Sequence, residues 1–318
     1  MNQYLEKISG VRVLGVGDAM LDRYWFGEVN RISPEAPVPV LAITDSDERA
    51  GGAANVACNI SALGAACDLI SVVGNDDAAR SLERLLADKG VTADFTRDDK
   101  HVTTVKLRLL SRNQQLLRAD FEQQPNDVFI VEAMDRFKNH LATADIILLS
   151  DYGKGVLRDI DQMIAAAKER GIKVLIDPKC RDFSRYRGAS LITPNRHEFE
   201  DIVGPCTSLD DMAVKAAELL KIIEVEYLLV TLSDKGMALF DKDGLVFHQP
   251  ARAREVFDVS GAGDTVIGTI AAMLATGAEY REAVHVANAA AAIVVGKLGV
   301  ATVSIAEIED EIGKEDFS

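Results

Sequence analysis

The chain has 318 residues, 48% of them hydrophobic and 27% charged, with a formal net charge of −15. That length and balance fit a soluble domain with a large core, and the acidic excess excludes a nucleic-acid or anionic-membrane surface while leaving room for a local basic pocket. Cys58, Cys67, Cys180 and Cys206 show no CxxC spacing, and no run reaches the roughly 18 apolar residues of a spanning helix or resembles a leader, so a cytoplasmic protein without disulfides or zinc is expected.

Residues 11–17 form a short β-branched run ending in glycine, which predicts a buried central strand. Pro34, Pro37 and Pro39 exclude a helix and a central strand, so residues 22–44 are predicted to be edge strands projecting as a lid. Gly51-Gly52-Ala53-Ala54-Asn55 opens a helical pattern to about Leu63, explained equally by close helix packing or by ligand contact. Residues 67–74 predict a strand, 77–89 a helix, and 102–121 a second lid hairpin turning near Arg112-Asn113. Lys106 and Arg108 fall on one face of its first strand and are candidates to bind a substrate phosphate, as are Lys154 and Arg112.

From Asp127 onward helices and strands alternate: helices at 127–142, 158–170, 195–203 and 209–223, strands at 145–150, 172–177, 189–193 and 226–231, then an antiparallel pair near 237–241 and 245–249. Alternation of this kind predicts an α/β, doubly wound, mostly parallel sheet with helices on both faces, whose ligands sit beyond the strand carboxyl ends. Asp151 and Lys154, Asp177 and Lys179, Asn195 and Glu198, and Thr231 and Ser233 all fall at such ends. Helices at 262–276 and 280–296 and an acidic segment, 307–316, complete one domain over residues 1–318.

Asp258-Val259-Ser260-Gly261-Ala262-Gly263-Asp264-Thr265 leads into the first of those two helices. Bare backbone at a helix start presents N–H groups and a positive dipole end to an anion. Asp264, inside that start, would repel a phosphate unless it removes a proton from a substrate hydroxyl while the backbone holds charge on a transferring phosphoryl group. Ser260 as an ordinary N-cap explains these eight residues as well. A nicotinamide site at Gly15-Val16-Gly17 is rejected because the third glycine, the following helix and the distal acid are missing.

Taken together, Gly51 to Asn55, Thr193-Pro194-Asn195-Arg196-His197-Glu198 and Asp258 to Asp264 resemble, in order and separation, the substrate, NxxE and GAGD motifs of the ribokinase-like (PfkB) sugar kinases. Within that family, residues 17–25, 31–40, 111–115 and 295–299 most resemble the D-glycero-β-D-manno-heptose-7-phosphate kinases. The resemblance implies a ribokinase-like fold and ATP-dependent, Mg²⁺-assisted phosphorylation of an anomeric hydroxyl on the route to the lipopolysaccharide core, with another sugar, sugar phosphate or nucleoside as the alternative substrate. It implies Asp264 as base and Gly261, Ala262 and Gly263 as anion hole. Asn195 and Glu198 would organise Mg²⁺ and phosphates, largely through water. Thr231, Ser233, Gly236 and Asn288 would border the nucleotide, although relatives often have glycine where this chain has Ser233. The resemblance places Asp22, Gly52 and Asn55 at sugar-binding positions; Gly51, Lys106, Arg108, Asp151 and Lys154 are further candidates for the sugar side from their places in the chain. A homodimer paired through the lids is expected. These residues carry no second nucleotidyltransferase-type motif.

Overall fold

A computed structural model describes residues 2–112, 114–252, 256–297 and 299–313. After a short helix α1 (Asn2–Leu5), the chain forms β1 (Arg12–Gly17), β2 (Ala19–Ile32), β3 (Pro39–Gly52), α2 (Ala53–Ala62), β4 (Ala66–Gly74), α3 (Asp77–Asp88), β5 (Thr92–Asp98), β6 (Val105–Ser111) and β7 (Gln114–Phe121). The regular half follows with α4 (Asp127–His140), β8 (Ile146–Ser150), α5 (Ile160–Glu169), β9 (Lys173–Asp177), β10 (Leu191–Ile192), α6 (Arg196–Val203), α7 (Leu209–Ile223), β11 (Tyr227–Thr231), β12 (Met237–Asp241) and β13 (Gly244–Gln249). Helices α8 (Ala262–Ala275), α9 (Tyr280–Val295) and α10 (Ile305–Gly313) close the chain.

Two sheets result. The larger has nine strands in the order β13-β12-β11-β10-β9-β8-β1-β4-β5, parallel except for the pairings of β12 with β11 and β13. Its central strands are apolar through their middles because both faces are covered: Val13, Ile146 and Leu148 pack with α2, α8 and α9, whereas Leu14, Val16, Ile147 and Leu149 pack with α4, α5 and α7. This is the expected doubly wound architecture.

The lid is a four-stranded sheet in the order β3-β2-β6-β7. Here the expectation for residues 22–44 needs correction. β2 pairs with both β3 and β6 and is an interior strand, and the first hairpin runs from Ala19 to Gly52. The prolines do not contradict this: Pro34 and Pro37 lie in the connection and Pro39 opens β3, an edge strand. The other hairpin turns where expected, with Arg112 at φ 50; Asn113 lies outside the described residues.

Asp18 joins the two sheets. Its N–H donates to the Ser150 carbonyl at the end of β8, and its carbonyl accepts from Ala53 N at the start of α2. Among the described residues no helix is long and apolar enough to cross a membrane.

Candidate active site

The candidate site lies where the loop after β8 and the carboxyl end of β9 approach the start of α8, with α2 and the lid strands β2 and β6 alongside. At that start Gly261, not Ser260, is the N-cap: its φ of 79 is left-handed and no side chain caps the helix. Capping by Ser260, the alternative explanation of this stretch, is therefore absent, and the first turn depends on backbone alone. Gly263 is exposed, and a Cβ placed on it would meet nothing within 4 Å. Open space therefore lies beside Gly263, whereas Gly261 packs against Asn55 and Val300.

Asp264 is buried at 9% exposure, yet both its oxygens are held. The Tyr152 hydroxyl donates to Oδ1 at 2.6 Å, and Asn55 Nδ2 donates to Oδ2 at 2.6 Å. Burial pushes the Asp264 carboxyl above its usual range, the bonds from Tyr152 and Asn55 pull it down, Asp22 pushes it up and Lys106 pulls it down; burial prevails. Asn55 is set in turn by α2, whose Asn59 amide donates to the Asn55 carbonyl at 3.0 Å while Asn59 Oδ1 accepts from Thr265 at 2.9 Å. Two helix starts far apart in sequence are therefore locked around one carboxylate.

The lid supplies the opposite wall. Asp22 accepts from Arg108 Nη1 at 2.7 Å, and Arg108 and Arg49 lie 5.1 Å and 4.9 Å from the centre of the Tyr24 ring. A Cβ on Gly51 would come to 2.7 Å from Asp22 Oδ2, so a side chain there would displace the carboxylate that Arg108 holds. Gly52, the residue before α2, takes a φ of 56. Lys106 Nζ lies 5.6 Å from the centre of the Tyr152 ring and, among the described residues, has no carboxylate in ion-pair range. Burial lowers its pKa.

The sequence-predicted phosphate cations are therefore not equivalent. Arg108 is committed to Asp22, Lys154 is paired with Glu122, and Arg112 sits at the hairpin tip. Asp151 also differs from its expected place on the sugar side. It is 2% exposed, accepts from the Tyr186 hydroxyl at 2.9 Å and from Gly153 N at 2.9 Å, and so braces the loop after β8 from below.

Asn195 and Glu198 form a capping box at the start of α6. Asn195 Oδ1 accepts from Glu198 N, and Glu198 Oε2 accepts from Asn195 N, each at 2.9 Å. Glu198 Oε1 accepts from Lys179 Nζ at 2.6 Å. Asp177 stands nearby at the end of β9, its carboxyl pushed well above the usual range by burial, Asp264 and Glu198.

Thr231 ends β11 and bridges to Asn195; Ser233 and Gly236 frame the turn into β12. Ser233 sits at φ 55, a left-handed conformation that favours glycine. Asn288 is buried and donates to the Pro250 carbonyl at 2.9 Å, so it supports the segment after β13 and does not present its amide to an open cleft.

Sequence reasoning missed Tyr152 and Asp18. Asp18 accepts from Tyr152 N and Lys154 N at 2.9 Å each and from Val156 N at 3.1 Å, fixing the loop that carries Tyr152. The position of Asp18 directly after a buried strand was the available signal.

A model of the pfkB family carbohydrate kinases matches residues 12–307. Among curated relatives, the bifunctional protein HldE of Histophilus somni (strain 129Pt) is 51% identical over 310 residues, covering 98% of this chain and 65% of the relative. That of Pasteurella multocida (strain Pm70) is 50% identical over 312 residues, covering 98% and 66%. The chain thus spans about two thirds of the length of these relatives. Among solved structures, Escherichia coli phosphofructokinase-2 in complex with potassium superposes with a TM-score of 0.80 at 22% identity, covering 96% of this chain and 99% of that one. Arabidopsis thaliana ribokinase complexed with ribose and ATP superposes at 0.75 and 21%, covering 97% and 99%. These two likenesses show a ribokinase-like fold, and the match across nearly the whole sequence places the chain in the pfkB family of carbohydrate kinases.

Proposed function

We propose that residues 1–318 form one kinase unit that transfers the γ-phosphoryl group of ATP to the anomeric hydroxyl of D-glycero-β-D-manno-heptose 7-phosphate, giving the 1,7-bisphosphate used toward ADP-heptose and the lipopolysaccharide core. The observation that carries the reaction type is a buried carboxylate, Asp264, held at both oxygens beside an uncapped helix start. Similarity to the HldE proteins and the lid residues it includes support the choice of sugar.

The C1 oxygen forms the new bond to phosphorus, the bond from γ-phosphorus to its bridging oxygen breaks with the electron pair leaving on ADP, and the hydroxyl proton passes to Asp264. Gly261 and Gly263 offer backbone N–H groups to the moving phosphoryl oxygens, while the Ala262 N–H donates to the Val259 carbonyl at 3.2 Å and shapes the turn between them. Asp22, Gly52 and Asn55 border the sugar, and Lys106 is the cation placed to meet an anionic group on it. Thr231, Ser233 and Gly236 border the nucleotide.

Among the described residues no three His, Cys, Asp or Glu side chains cluster to hold a metal ion by themselves. The residues fit an ion carried by nucleotide phosphates and water, with Glu198 and Asp177 as the nearby acids. Mg²⁺ bound there would neutralise phosphate charge. Lid pairing into a homodimer is supported by the exposed apolar side chains Ile32, Ile43, Leu117 and Phe121.

A panel of sugar phosphates assayed by coupled ADP release, with ³¹P NMR of the product, tests the assignment. Heptose 7-phosphate is expected to turn over fastest and to gain an anomeric phosphate. Faster turnover of fructose 6-phosphate, or phosphate on another carbon, rejects it.

A further inference from the structure

We propose that Tyr152 is a positioning residue for phosphoryl transfer: its hydroxyl anchors one oxygen of the Asp264 carboxylate while Asn55 anchors the other, so that the base faces the sugar hydroxyl in a single orientation. The inference rests on Asp264 being the base.

Three observations converge on this role. The Tyr152 hydroxyl lies 2.6 Å from Asp264 Oδ1, a short charge-assisted bond. The backbone of Tyr152 cannot drift, because Asp18 accepts from the N–H groups of Tyr152, Lys154 and Val156. The ring is held from above by the Lys106 ammonium, 5.6 Å from its centre, so the lid strand β6 and the base share one aromatic side chain. A residue that merely plugged the cleft before substrate arrived would need freedom to swing away. Tyr152 is tied at backbone, ring and hydroxyl.

The hydroxyl has a second effect through charge. Asp264 faces Asp22 from β2, Lys106 from β6, Tyr152 from the loop after β8, and Asp177 and Lys179 from the end of β9. Burial raises its pKa, and the bonds from Tyr152 and Asn55 are the two largest opposing influences. Each donor favours the ionised carboxylate that a base needs. Tyr152→Phe keeps the ring beneath Lys106 and removes only the donor, so the Asp264 pKa rises. The acid limb of the rate profile then moves to higher pH.

The test measures kcat and kcat/KM from about pH 5.5 to 9 for the native chain, Tyr152→Phe and Asp264→Asn, using heptose 7-phosphate, Mg²⁺ and ATP with coupled ADP release. Tyr152→Phe is expected to lower kcat/KM at neutral pH roughly tenfold, to move the acid limb up by about one pH unit, and to leave the KM for ATP unchanged. An inactive Asp264→Asn alongside a Tyr152→Phe acid limb that does not move overturns the inference and leaves the base assigned. Substantial turnover in Asp264→Asn overturns both.

Discussion

Replacing Gly263 by alanine separates a structural glycine from a functional one, because the two roles predict opposite signs. Gly263 is the second residue of α8, exposed, with nothing within 4 Å of the point an added methyl group would occupy. Helix propensity alone makes Gly→Ala stabilising by roughly 0.5–1 kcal/mol. At about 2.1 cal/mol/K per residue, 318 residues give an unfolding entropy near 0.7 kcal/mol/K, so Tm rises by about 1 °C. The same methyl group projects into the space assigned to the phosphoryl oxygens, and loss of one backbone donor there costs about 10²–10³ in kcat.

Gly261→Ala is the internal contrast. Its φ of 79 is costly for alanine by roughly 1–2 kcal/mol, and the added carbon lies 3.0 Å from Asn55 Nδ2 and 3.3 Å from Val300 Cγ1. Both stability and turnover fall. Calorimetry and coupled ADP release on the two variants decide the matter: unchanged turnover in Gly263→Ala refutes the anion-hole assignment, and a lowered Tm refutes the open space beside it.

Two further outcomes follow from the same geometry. Lys106→Met removes the unpaired lid ammonium and is expected to raise the KM for the sugar phosphate about 10–100-fold while leaving the KM for ATP alone; an unchanged sugar KM places its phosphate elsewhere. His101 is buried at 8% exposure; burial lowers its pKa below 6.5 although Asp98 and Asp76 pull the other way. The unfolded chain therefore takes up the proton first, and the contribution of neutral His101 is complete above about pH 6.5 and lost as pH falls toward the folded value. His101→Gln is expected to flatten the fall of Tm between about pH 7 and 5, and an unaltered slope assigns that fall to other groups.

The large sheet was legible because β1 and β8 are short runs apolar at successive positions, the pattern of a strand covered on both faces, and too short for a helix. β5 was missed for the converse reason: Thr92 to Asp98 is an edge strand carrying Asp94, Arg97 and Asp98, with Phe95 its one large apolar side chain. The acidic C-terminal segment concealed a helix, α10, whose Ile308 and Ile312 pack into the core at helical spacing.

At the site, motif spacing located Asp264, Asn55 and the α8 start, since each lies next to a glycine-rich turn. The two helix starts differ in their caps. The Asn-x-x-Glu spacing of Asn195 and Glu198 is that of a capping box, and the structure forms one, whereas the residue with the better capping side chain, Ser260, caps nothing. The bond between Tyr152 and Asp264 joins positions 112 residues apart, and no local pattern announces it. Pairings of that kind are set by topology, here by the two carboxyl-terminal strand ends that bring the β8 loop over α8.

The central claim is that Asp264 removes the proton, and Asp264→Asn tests it most directly. The amide keeps the size of the side chain and abolishes its basicity. Isothermal titration of ATP and Mg²⁺ is expected to give a Kd within about twofold of the native chain, while single-turnover phosphorylation of heptose 7-phosphate falls about 10²–10⁴-fold. Near-native turnover in this variant contradicts the account.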